Sequence, residues 1–229
     1  MVRRTNVLRL TLSISAAAAA AYLAVLYLMR PSADAVVTAA SLMAFLPLLY
    51  SFVFSMSTIG FERLWISFAV DQYAYIRYRM LARAALMAIS LAPLAAAYAT
   101  SYFAYPPAAY LVPALICAVL TTPQTSWIFA AAAEMPQVLS LPAAPPRLNV
   151  KYLLLSLAAL LIIAIYMVPY GLAVAAYWAH LGPLARAAFW SSTAEVAAST
   201  AFFYLTLFSK AGRSLWSSFV NRLSELGYV

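Results

Sequence analysis

Charge is what this chain has least of. Only 9% of its 229 residues are charged, and only six are acidic, against about 25% charged in a typical soluble domain. A soluble globule of this size could not bury 66% hydrophobic residues, and its surface would be short of charge. The same balance excludes intrinsic disorder. Cysteine is nearly absent. Cys117 is alone and has no intrachain partner, so a disulfide scaffold is excluded. The one histidine, His180, falls between two apolar runs with no His or Cys beside it to complete a metal site. Glycine is scarce and scattered at 60, 171, 182, 212 and 227, so there is no Gly-x-x-x-x-Gly-Lys loop to cradle a phosphate. His-Glu-x-x-His, Gly-x-Ser-x-Gly and clustered carboxylates are missing too. These absences predict a chain with no catalytic residues, no metal and no cofactor of its own.

What the chain has is long apolar runs. Its mean hydropathy is +0.90. The runs do not alternate and are about twice the roughly ten residues of a barrel strand, which argues against a β-barrel. A spanning helix needs about 20 mostly apolar residues. Six runs qualify, at 8–29, 35–58, 81–103, 108–133, 152–178 and 187–208. The expected fold is therefore all-α: a single polytopic membrane domain of six transmembrane helices, with amphipathic helices at its interface. Arg3 and Arg4 followed by Ala16–Ala21 also fit a cleaved signal peptide. The apolar run continues through Tyr22, Leu23, Val25, Leu26 and Leu28, which favours a retained helix.

The charges orient the chain. With both termini cytoplasmic, the inner segments hold twelve of the fourteen Lys and Arg residues, and the outer loops hold only Arg30 and Arg186. The net charge of +8 is thus the bias of a multi-pass protein of the cell membrane, with no basic domain left over for nucleic acid. Trp178 and Trp190 flank the last outer loop, and Trp65 and Trp216 lie near the inner face, as interfacial aromatic belts would place them. The outer loops are short. The inner segments 59–80 and 134–150 are longer, and Pro136, Pro142, Pro145 and Pro146 make the second read as an extended linker.

The first inner segment carries the most information. Phe61, Leu64, Trp65 and Phe68 recur at helical spacing, while Glu62, Arg63 and Ser67 fall off that stripe. A short amphipathic helix results, able to lie on the membrane or to enter a partner's groove. Asp71 is placed to cap the next helix. Gly60, Glu62 and Leu64 after the second span, then Tyr75 and Arg79 opening the third, resemble the coupling loop of ABC-2 type transporter permeases. Phe68-Ala69-Val70 stands where that family commonly has a proline. The resemblance implies a permease that pairs with itself or with a homologous half and is driven by a separate ABC-type ATPase. ATP and magnesium would be held by that partner. Gly60, Glu62, Arg63, Leu64, Trp65 and Phe68 would then be the docking residues, with polar contacts from Glu62 and Arg63 and packing from Leu64 and Trp65.

Within the spans, Glu195 is conspicuous. A membrane carboxylate is costly and marks a cavity, an ion path or an interhelical contact. Ser191, Ser192, Glu195 and Ser199 share a helical face. The readings are a polar translocation path, a proton-titrating site, or hydrogen-bonded packing between helices. The fourth span has a polar break at Thr121-Thr122-Pro123-Gln124-Thr125-Ser126, whose hydroxyls can serve the carbonyl that Pro123 frees. Tyr166, Tyr170 and Tyr177 recur at spacings that put three phenols on about one face of the fifth span. Gln124, Tyr166 and Tyr170 join the serines and Glu195 as candidate pathway residues, with packing as the plainer reading. The tail 213–226 is amphipathic and is expected on the inner membrane surface. These readings favour an ATP-driven exporter permease. The alternatives are a proton-coupled carrier using Glu195 and a structural membrane subunit.

Overall fold

The computed structural model describes residues 2–28, 33–55, 71–104, 109–139 and 150–225. Among them it is all-helical, with no strand. The helices are α1 (Val2–Leu28), α2 (Ala33–Ser55), α3 (Gln72–Ala104), α4 (Val112–Leu139), α5 (Val150–Ala179), α6 (Gly182–Phe208) and α7 (Lys210–Glu225). Two stretches, Leu8–Leu28 and Gln72–Phe103, are long and apolar enough to cross a membrane. Large apolar side chains stand on the outside of the bundle, among them Leu42, Phe103, Leu161 and Trp190. Trp178 and Trp190 are both exposed, on either side of the α5–α6 turn.

Helix α4 is the hub, packing against α2, α3, α5 and α6. Helix α1 lies on α3 and α2. Its Ala19, Tyr22 and Leu26 are part of the main core. Tyr22 meets the Tyr98 ring edge-on at 5.4 Å, and its hydroxyl shares a 3.2 Å hydrogen bond with Ser101. Thr11 and Ser90 share another at 3.1 Å, and the Tyr50 hydroxyl donates to the Thr11 carbonyl. Each bond joins helices distant in sequence and closes polar valences that an apolar surrounding would leave open.

Several boundaries differ from those read off the sequence. Helix α6 begins at Gly182 rather than 187, because Pro183 suits the first turn of a helix. Helix α5 runs to Ala179, so the connection to α6 shrinks to His180 and Leu181. His180 makes that turn with φ of 51°, in the left-handed region that His tolerates better than most residues. Helix α4 continues to Leu139, so 134–139 are helical rather than extended despite Pro136. Helix α3 starts at Gln72, so 72–80 belong to a helix and not to the inner loop. Asp71 caps it as expected, its Oδ1 accepting from the Ala74 amide at 3.0 Å.

The tail helix also starts earlier than the sequence reading put it. It forms α7, starting at Lys210 rather than 213, and folds back on α6 and α3. Ser209 ends one helix and starts the next, its Oγ accepting from the Gly212 amide at 3.0 Å. Trp216 is 2% exposed, packs with Ile76, Met80 and Leu207, and donates its indole N–H to the Thr206 carbonyl at 3.2 Å. The Arg213 guanidinium lies 5.1 Å from the Tyr73 ring centroid. A buried indole needs an acceptor, and the end of a helix has free carbonyls to offer. The approach is so close that a Cβ on Gly212 would stand 2.1 Å from the Thr206 oxygen, whereas a Cβ on Gly171 meets nothing within 4 Å.

That contrast gives a paired test. Gly212→Ala should cost about 1–3 kcal/mol, as overpacking does, and expose α7 to limited proteolysis. Gly171→Ala should change neither thermal unfolding in detergent nor the proteolytic pattern. Equal behaviour of the two variants would contradict the seating of α7.

Candidate functional site

Along α6 the surroundings change in steps. Ala188 belongs to the main core, the stretch from Ser192 to Ser199 is polar, and Leu207 belongs to the second apolar cluster with Trp216. Glu195 is the fourteenth of the 27 residues of α6, about 20 Å from either end by helix rise. It faces Cys117 of α4 and Tyr166 of α5. Its carboxyl lies against the Cys117 thiol. Cys117 in turn donates to the Ser192 carbonyl at 3.4 Å. Glu195 is half-buried, and its Oε1 is buried without a hydrogen-bond partner.

The hydroxyls around it are tied to their own helices. Thr121 donates to the Cys117 carbonyl at 2.8 Å, Thr122 to Ala118 at 2.6 Å and Thr125 to Thr121 at 3.0 Å. Ser126 donates to Pro123 at 3.2 Å. Two serines of α6 do the same: Ser191 and Ser192 both donate to the Ala188 carbonyl, at 3.0 and 2.7 Å. Such bonds back to the preceding turn satisfy a hydroxyl in an apolar setting and leave its lone pairs facing outward. The polar break of α4 is thus continuous helix, with its hydroxyls on the carbonyls of Cys117, Ala118, Thr121 and Pro123.

Tyr166 ties α5 to this centre. Its hydroxyl donates to Thr125 Oγ1, with the Thr121 carbonyl at 3.4 Å, and it lies within reach of Ser199 and the Glu195 carboxyl. Gln124 sits one turn further along, where its Oε1 accepts from Thr200 at 3.1 Å.

The structure therefore gathers Glu195, Ser192, Ser199 and Tyr166, with Gln124 beside them. Ser192 joins them through its main-chain carbonyl, which accepts from Cys117, whereas Ser191 makes only the bond back to Ala188. Tyr170 goes elsewhere: its hydroxyl shares a 2.7 Å hydrogen bond with Ser41 and meets the Val37 carbonyl at 3.3 Å, both on α2. Two phenols one helical turn apart thus serve two different interfaces. Tyr177 is buried in the main core. The docking residues Gly60, Glu62, Arg63, Leu64, Trp65 and Phe68 lie outside the described residues. Cys117 is a neighbour of Glu195 that the sequence reading did not single out, and Thr125 it named only as part of the polar break. The signal was there in part, since residues 117, 121, 124 and 125 fall on one face at helical spacing. His180 is exposed in its turn, far along the chain from the polar centre.

The arrangement can do two things chemically. It can hold a helix interface together through hydrogen bonds, and it can present a carboxyl oxygen to a small positive species. Lys151 at the start of α5 and Arg186 near the start of α6 are the only basic residues in α4, α5 and α6. Glu195 therefore has no cationic residue near mid-length on its own helix or on α4 and α5. No family model, curated protein or solved structure matches the chain.

The Tyr166–Thr125 contact can be measured directly. A double-mutant cycle of Tyr166→Phe and Thr125→Val, read by detergent-induced unfolding, should give a coupling energy of about 0.6 kcal/mol and up to roughly 1.7. A coupling of zero would mean that the two hydroxyls do not meet.

Proposed function

We propose that this chain is the membrane-spanning subunit of an ATP-driven transporter of the exporter type, with six spans and both termini cytoplasmic. It works as a homodimer or beside a homologous half. ATP hydrolysis takes place on a separate ABC-type ATPase, which holds the nucleotide and magnesium. The reading rests on the coupling-loop resemblance at Gly60–Leu64, Tyr75 and Arg79. One structural observation supports it: that loop leads directly into a capped helix of 33 residues. A helix of that length extends about 50 Å, enough to carry a displacement at one membrane face through to the other.

The mechanism follows from the packing. Closure of the ATPase presses on the segment from Glu62 to Phe68. The start of α3 moves with it. Helix α7 is fixed to that start through Arg213 on Tyr73 and through Trp216, and to α6 through Thr206 and Gly212. Tyr73 itself donates to the Leu207 carbonyl at the end of α6. The displacement thus reaches α6, which carries Glu195. Shifting α6 against α4 opens or closes the polar centre between them.

A second reading has an observation in its favour. The buried, unpartnered Oε1 of Glu195 fits a carrier that couples transport to protons, with Glu195 as the titrating group. The two are separated by purification from native membranes in mild detergent. The expected result is a stoichiometric ATPase that is lost in Trp65→Ala and retained in Glu195→Gln. Transport that proceeds without any ATPase and stops in Glu195→Gln would overturn the ATP-driven reading.

A further inference from the structure

We infer that the centre between α4, α5 and α6 binds one compact monovalent cation, a sodium or potassium ion, through the Glu195 carboxylate and the oxygen lone pairs beside it. The argument is an accounting of hydrogens. A hydroxyl has one hydrogen and two lone pairs. Thr121, Thr125 and Ser192 each commit that hydrogen to a carbonyl one turn back on their own helix. The Tyr166 hydrogen goes to Thr125, and the one Cys117 hydrogen serves the Ser192 carbonyl or the Glu195 carboxyl. What this set has left to offer is acceptors. Glu195 adds two more, and its buried Oε1 has no partner. A centre rich in oxygen acceptors and short of hydrogens suits a hard cation.

Charge fixes the valence. Glu195 is the only acidic residue in α6, and no group of three His, Cys, Asp or Glu side chains is found among the described residues. One carboxylate neutralises one positive charge. A divalent ion would leave a net charge in an apolar bundle, at a cost the surroundings cannot offset. Lys151 and Arg186 are the only basic side chains on the three helices, and both lie near helix ends. By helix rise, Arg186 is about 13 Å from Glu195 along α6. Among the described side chains, those facing Glu195 from α4 and α5 that titrate at all are Cys117 and Tyr166. The cations of α7, Lys210 and Arg213, begin fifteen residues further along the chain.

The inference does not depend on the coupling to an ATPase, and its test needs none. Cys117 is the only thiol and touches Glu195, so it serves as a reporter. The full chain, purified into lipid nanodiscs, is treated with N-ethylmaleimide in NaCl, KCl or choline chloride at equal ionic strength and pH. The alkylation rate should fall at least threefold in sodium or potassium relative to choline. The thermal midpoint should rise in the same salts, because a ligand bound only to the folded state stabilises it. Glu195→Gln should abolish both differences. Thr121→Val, which keeps the side chain's shape, should raise the cation concentration at half-effect severalfold. Ser41→Ala, at the α2–α5 contact, should leave it unchanged. Equal rates and midpoints in all three salts would overturn the inference. So would a cation effect that persists in both Glu195→Gln and Thr121→Val, or protection that follows pH alone.

Discussion

Inside an apolar bundle, a hydroxyl or peptide group has no water to turn to, and every polar valence must be closed within the protein. That constraint organises this bundle. Thr121, Thr122, Thr125 and Ser126 meet it by bonding back to α4. They can therefore sit in the most crowded helix of the molecule, packed on α2, α3, α5 and α6. Because their hydrogens are taken locally, the contacts across the interfaces are made by a few longer groups: Tyr166 to Thr125, Thr200 to Gln124, and Cys117 to Ser192. Glu195 is one of the groups for which the constraint is not fully met, as are Ser15 and Arg77, since one of its oxygens stays buried and unpaired. Helix-to-helix packing explains the rest of the polar belt, but it does not explain that oxygen.

The bundle also separates two tasks by position. The main core from Ala19 to Ala188 joins α1 to α5 and the start of α6. The smaller cluster of Ile76, Met80, Leu207 and Trp216 joins α3, α6 and α7 at the other end. Between them lies the polar belt. The smaller cluster is where a force applied near residue 71 would enter, and the belt is where it would have an effect. This placement makes the proposed coupling mechanically plausible on geometric grounds, with Gly212 and Trp216 as the joint.

Much of this was legible locally. Asp71 as a cap follows from its side chain and its place before a helical pattern, and it needs no distant contact. The shared face of Ser192, Glu195 and Ser199 follows from helical spacing alone. What was not legible depends on partners far along the chain. Nothing within α5 says that Tyr166 turns to Thr125 while Tyr170, one turn on, turns to Ser41. Cys117 reads as a small apolar residue until α6 is laid against it. The tail reads as a surface helix because its apolar stripe fits a membrane as well as a protein groove. Only the closeness of Gly212 to Thr206 shows that Trp216 is seated in the fold. Boundaries shifted beside two prolines, one of them, Pro136, read as part of an extended linker. Pro183 opens α6, and Pro136 lies inside α4.

The claim on which the site rests is that α4 and α6 meet at Cys117 and Ser192. A chain with one native cysteine allows a clean measurement. Glu195→Cys puts a second thiol on the side chain that lies against Cys117, and copper phenanthroline in the membrane should join the two, leaving no thiol free to alkylate. Two thiols that stay reducible and separately alkylated, in a variant that purifies as a folded protein, would contradict the α4–α6 contact and the polar centre built on it.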